Sequence, residues 1–147
     1  MSQLQSMTIE ELFDEFDALA DWEERCDYLI DLGFDLPKMP DTEKTEQNRV
    51  HGCQSNVWMV ARVNRQSDPP IIEFLADSDA MIVRGLIAVL LTVYSGRTAD
   101  EILETDIEQV FSRLGLNRQL SPARRNGLYG MVKRIETIAR ETASATT

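Results

Sequence analysis

VWMVARVNRQSDPPIIEFLADSDAMIVRGLIAVLLTVY, residues 57–94, decides the class of fold. Its first part, 57–63, is rich in β-branched and aromatic residues, and 71–76 is similar. Between them Asn64, Arg65, Gln66, Ser67, Asp68, Pro69 and Pro70 make a polar break, so the pair reads as an antiparallel hairpin with a rather long connection. The final part, 79–94, is too long for a strand and apolar almost throughout. It predicts a buried helix, capped by Ser78 and ended at Gly96.

On the N-terminal side of this unit, Thr8 and Glu11 fit a capping box that opens a helix over 9–19 with Ile9, Leu12, Phe13 and Phe16 on one face. Asp21 and Glu24 look like a second box. They open a helix whose inner stripe is Trp22, Cys26, Leu29 and Ile30 and which stops with Gly33 at C′. The stretch 34–48, with Pro37 and Pro40, is a loop. On the C-terminal side Thr98 starts a short helix through Leu103 and Asp106 another through about Leu114. Ser121 followed by Pro122 is an N-cap with proline at the first helical position, the start of a last helix to about Arg140, with 142–147 a frayed tail. Helices, then a hairpin, then helices make the class α+β rather than a doubly wound sheet. There is no internal repeat and no linker, and 147 residues suit a single domain over 1–147.

The formal net charge is −10, and residues 1–35 carry all of it, with 11 acidic side chains against Arg25 alone. Such a chain lacks the basic surface that releases counterions from nucleic acid, so no nucleic-acid partner is expected. No run approaches the roughly 18 apolar residues of a membrane span, and the N-terminus has no basic and apolar signal regions. A cytoplasmic protein with no membrane partner is the expectation. Cys26 and Cys53 then read as free thiols rather than a disulfide.

RVHGCQSNVW, residues 49–58, is the segment with the most chemistry in it. Cys53 stands where a loop enters a strand. Gly52 removes steric cover beside the thiol, and Gln54 and Ser55 offer donors to an anionic sulfur. A small hydrophobe in a loop is the alternative reading. Cys26 lies on an apolar helix stripe, which points to packing. His51 is the sole histidine, and at two residues from Cys53 in an extended chain it does not reach the sulfur as a general base, so a hydrolase is disfavoured. No zinc pattern and neither nucleotide-binding glycine fingerprint occurs, so no metal and no cofactor are expected. Asp79, in Asp77-Ser78-Asp79, is first a helix-start residue. Arg124 and Arg125 sit in the first turn of the last helix, where cations are disfavoured, which suggests a nearby carboxylate or anion or simply a solvated pair.

RVHGCQSNVW, with ADSDAMIVRGLIAVL (76–90) and LNRQLSPARRNGL (116–128), resembles the SufE family of sulfur-acceptor proteins. The likeness follows (R/S)-x-x-G-C-Q-S-x-V-W, D-S-D-x-x-I-V-(K/R)-G and L-(T/S)-P-x-R-x-x-G, in order, from about Trp22 to Ile138. WEERCDYLIDLG and TEQNRV fit as well. The resemblance implies a compact α+β domain like the IscU-type cluster scaffolds, with a small antiparallel sheet of about three strands packed against helices. It implies an accessory sulfurtransferase-type protein, not a self-sufficient enzyme. Such a protein takes persulfide sulfur from a pyridoxal-phosphate cysteine desulfurase (SufS- or CsdA-like), stimulates it, and delivers sulfur to an iron–sulfur scaffold (SufBCD-like) or another recipient. Cys53 matches the sulfur-accepting cysteine. Asp79 and Arg124 match charged positions that support the loop or the partner contact, and His51, Gly52, Gln54 and Ser55 surround the thiol. Rival readings are a cluster scaffold or metal-binding protein, and an allosteric desulfurase activator that carries no sulfur. The donor type, the final recipient, the resting position of the loop and the oligomeric state, a homodimer included, stay open.

Overall fold

The computed structural model describes residues 7–52 and 54–145. Helix α1 is Ile9–Asp17, and Thr8 caps it by accepting the Glu11 N–H at 3.2 Å. Its Leu12 and Phe16 are buried. It ends two residues before the expected Leu19, because the chain must turn and start again. Helix α2, Trp22–Phe34, has Asp21 accepting the Glu24 N–H at 2.9 Å. The Glu24 carboxylate reaches one residue past the cap, to the Ala20 N–H at 2.7 Å.

Gly33 does not stop α2 as a C′ glycine; it is a buried residue inside the helix. The reason lies across the interface, in helix α3, Met81–Tyr94. A Cβ on Gly33 would stand 2.9 Å from the Gly85 nitrogen, and one on Gly85 would stand 2.6 Å from the Leu29 carbonyl carbon. The two helices therefore meet backbone to backbone.

After α2 the chain runs through a short 3₁₀ turn, Asp41–Glu43, with Leu36 and Met39 buried as anchors. Strands β1 (Val57–Asn64) and β2 (Ile71–Ser78) pair antiparallel from Val57 opposite Ser78 to Asn64 opposite Ile71. A third strand, β3 (Arg97–Thr98), adds to Ile71 and Ile72 and completes the sheet in the order β1-β2-β3. The α+β class with a small antiparallel sheet is therefore the observed one. Val57, Met59, Ile72, Phe74 and Ala76 form the buried face of the sheet, as period-two alternation requires. The apolar helix α3 is buried from Gly85 to Tyr94, so it is the central element.

Ser78 does not cap α3. The strand register carries it opposite Val57 as the last residue of β2, where its Oγ accepts the Ala80 N–H at 3.2 Å. The helix begins only at Met81. Helix α4, Ala99–Glu104, opens with a complete capping box between Thr98 and Glu101. Helix α5, Ile107–Leu114, is capped by Asp106 and ends on Gly115 at φ 76°. A turn of helix, α6 (Leu116–Gln119), leads to the long α7, Pro122–Ala145. Residues 142–145, expected in a frayed tail, belong to α7, and the Thr142 hydroxyl donates to the Ile138 carbonyl at 2.8 Å. The rest of that tail lies outside the described residues.

If the glycine contact sets the α2–α3 distance, Gly85→Ala should destabilise the protein by about 3 kcal/mol, since overpacking against backbone has no side chain to give way. Urea unfolding measures this, and a loss below about 0.5 kcal/mol would remove the contact's importance.

Candidate functional site

Residues 48–50 come back against 57–59 as a two-rung antiparallel stem. The Val50 N–H donates to the Val57 carbonyl at 2.8 Å, and the Met59 N–H to the Asn48 carbonyl at 2.9 Å. Arg49 and Trp58 face each other between these rungs. The stem closes a six-residue loop, 51–56. Cys53 itself lies outside the described residues. Its neighbours Gly52 and Gln54 are exposed, as is His51, and Gly52 has φ 93°, a backbone state that favours glycine.

Each end of the loop is held by a different element. The His51 carbonyl lies on α7, 3.3 Å from where a Cβ on Gly130 would be. At the other end Asp79 grips Asn56 twice: Oδ1 accepts the Asn56 N–H at 3.1 Å and Oδ2 accepts the Asn56 Nδ2 at 2.9 Å. Asp79 is thus tied to the loop as well as standing ahead of α3. His51 turns to Glu46, with Nε2 3.6 Å from the carboxylate.

Gln54, Ser55 and Arg124 converge on one cleft of about 50 Å³ whose floor is the buried side chains of Val83, Leu86, Leu128 and Met131. The cations at the start of α7 separate in role. The Arg125 Nη1 donates to the Asn117 carbonyl at 2.7 Å, which explains its tolerance at a helix N-terminus. Arg124 is exposed and pairs with no carboxylate among the described residues. Cys26, half-buried on α2, is close enough to feel it. Burial pushes the Cys26 thiol above its ordinary range, Asp27 pushes the same way, and the Arg124 charge opposes them. A raised thiol is a poor nucleophile at neutral pH, in keeping with packing.

Three supporting side chains escaped the sequence reading. Asp77 receives Arg84 Nε at 3.1 Å and Lys44 Nζ at 3.2 Å. The Arg84 contact is an ion pair without hydrogen-bond alignment. Lys44 also lies 5.6 Å from the centre of the Trp58 ring. This ties the segment before the loop to the sheet and to α3. The available signal was alternation: Asp77 and Trp58 are cross-strand partners and so share a face. A second cavity, about 700 Å³, lies towards the far end of the hairpin beside Arg62, Glu73, Phe74 and Arg97, and no described residue of the 49–58 segment borders it. Among the described residues no three His, Cys, Asp or Glu side chains are placed to hold a metal, and no helix is long and apolar enough to cross a membrane.

An α+β fold that presents a clamped, cysteine-bearing loop beside an apolar cleft defines the class. Residues 10–139 match the family described as SufE: Fe-S metabolism associated domain, and the chain belongs to that family. An uncharacterised SufE-like protein of Rhizobium etli is 44% identical over 138 residues, which cover 94% of this chain and 93% of the relative. Another, of Rhizobium meliloti, is 41% identical over 132 residues, covering 90% and 94%. The solution structure of a hypothetical protein from Thermus thermophilus shares the fold with a TM-score of 0.71 at 20% identity, over 94% of this chain and 99% of that one. Family membership associates the chain with iron–sulfur metabolism.

Removing the Asp79 grip should free the loop without unfolding the domain. In Asp79→Ala the amides of 54–56 should exchange with deuterium at least about tenfold faster, while those of α3 stay protected. Unchanged exchange at 54–56 would mean that the loop is held by something else.

Proposed function

We propose that the protein is a sulfur acceptor and carrier that takes persulfide sulfur from a cysteine desulfurase onto Cys53, stimulates that enzyme, and hands the sulfur on to iron–sulfur cluster assembly. What carries this reading is the placement of the family's cysteine motif on a six-residue loop with exposed flanks, beside a cleft shared by Gln54, Ser55 and Arg124.

The chemistry is exchange at sulfur. The Cys53 thiolate attacks the outer sulfur of the donor persulfide, and a new S–S bond forms as the donor's S–S bond breaks. The donor cysteine leaves as thiolate, and Cys53 holds the transferred sulfur as a persulfide. Sulfur oxidation states are only exchanged between partners, so no external oxidant or reductant is consumed. An ordinary thiol, with a pKa of about 8.5, is only a few per cent ionised at neutral pH. The Arg124 guanidinium, which has no carboxylate partner among the described residues, favours the anion when Cys53 is near it, and Gln54 and Ser55 supply hydrogen-bond donors. The apolar floor opposes this by desolvation, but it also keeps small reductants away from a stored persulfide. A loop with two positions meets both needs: inward for storage and outward for exchange, with Gly52 lowering the steric cost of the change. Asp79 sets the end of the moving segment at Asn56, and His51 marks the other end on α7.

In this reading the chain works as one domain, in the cytoplasm, without a cofactor of its own. Its partners are a pyridoxal-phosphate desulfurase and a scaffold or other sulfur recipient. Incubation with the desulfurase and cysteine should add about 32 Da per sulfur atom in intact-mass spectrometry. Cys53→Ser should add none and still fold and bind, while Cys26→Ala should load as the unaltered chain does. Loading that survives Cys53→Ser, or that is lost in a folded Cys26→Ala, would overturn the assignment.

A further inference from the structure

Glu23, Asp27, Asp31 and Phe34 follow one another at spacings of four, four and three, so they share one face of α2. All four are exposed, and Phe34, at 63%, is the most exposed large apolar side chain among the described residues. The opposite face, with Leu29, Leu32 and Gly33, is buried. Among the described residues no lysine or arginine pairs with the three carboxylates. Asp31 is in the last turn of the helix, which holds no basic residue although the dipole favours cations there. Helix α1 has the same misfit at Asp17, and the fold relieves it with a two-pronged bond from Arg113, at 2.8 Å on one side. On α2 the misfit is left standing in the free protein.

The strip starts on the side of α2 that faces the cleft beside the loop and ends against α3. At its start, Cys26 feels Asp27 and Glu23 on one side and Arg124, at the cleft, on the other. At its end Gly33 presses on Arg84 and Gly85, so Phe34 lies beside the first half of α3. Met81, 54% exposed, is one turn before Gly85 and two residues after Asp79.

We propose that this face of α2 is a docking strip for the cysteine desulfurase, met by a cationic rim around an apolar recess that takes the Phe34 ring. The proposal rests on the sulfur-acceptor reading. Charge decides the partner's chemistry: a carrier whose whole formal charge of −10 lies in residues 1–35 repels an acidic surface at this face. An enzyme that binds a cofactor phosphate and an amino-acid carboxylate gathers cations around its active-site mouth, and that mouth must come to Cys53.

The test uses the full chain and its desulfurase, titrating carrier at fixed enzyme and cysteine and reading persulfide on Cys53 by mass. Asp27→Lys combined with Asp31→Lys, and separately Phe34→Ala, should raise the half-saturating concentration about tenfold and leave the plateau unchanged. The charge-reversed variant should also lose most of the salt dependence that the unaltered chain shows. Glu104→Lys, exposed on α4, should load normally. If a variant unfolds by circular dichroism, Asp27→Asn with Asp31→Asn, and Phe34→Ser, are read in its place. Variants that load with the unaltered concentration dependence overturn the strip while the acceptor reading stands. Normal loading with poor delivery to a recipient also overturns it, since the strip would then serve the recipient. An unaltered chain that never gains sulfur removes the acceptor reading and the strip together.

Discussion

At Gly33 and Gly85 two helices touch with no side chain between them, and the site depends on that distance. Because α2 presses directly on the backbone of α3, the first half of α3 has one position relative to the sheet. Arg84 is thereby set beside Asp77, and Asp79 at the foot of the loop. A single methyl group at either glycine would push the helices apart by more than a tightly packed interior absorbs. The contact is therefore a constraint on the site as much as on stability, although neither glycine lines the cleft.

Asp77 and Asp79 are two residues apart and carry different loads. Asp77 ties the segment before the loop to α3 through Lys44 and Arg84, and Asp79 ties the loop's end through Asn56. Closing six residues costs about 1.6 kcal/mol beyond a constant term. Two hydrogen bonds to an exposed carboxylate return about 1 kcal/mol each. The grip on Asn56 is thus comparable with the entropy it opposes. It holds the loop without making its release costly, as the proposed two-position loop requires.

The hairpin and the buried helix were plain in the sequence because their signals are local: β-branched runs about a polar break, then an apolar run too long for a strand. Helix starts at Thr8, Asp21, Thr98 and Asp106 were legible for the same reason, since a cap needs only neighbours three residues on. Gly33 was misread because a glycine near a helix end looks alike whether it terminates the helix or admits another backbone, and only the position of Gly85 decides. Ser78 was misplaced because its hydroxyl suits a cap, whereas pairing with β1 claimed it for the strand. At the site, Gln54, Ser55, Asp79 and Arg124 were singled out by residue type and family pattern. Asp77 and Arg84 fall within that pattern, but neither they nor Lys44 could be given a role, because their roles arise from three segments meeting in space.

The Val50–Val57 stem also bounds distance. Cys53 is three positions along the chain from Val50 and four from Val57, and an extended chain spans at most about 3.6 Å per residue. With the stem intact, chain length alone keeps the Cys53 thiol inside a sphere of about 14 Å around Val50. Any protein that gives to it or takes from it has to enter that same small volume. Two proteins of domain size do not fit there together, so under the proposed carrier role donor and receiver would call in turn, and the carrier would leave one before it meets the next.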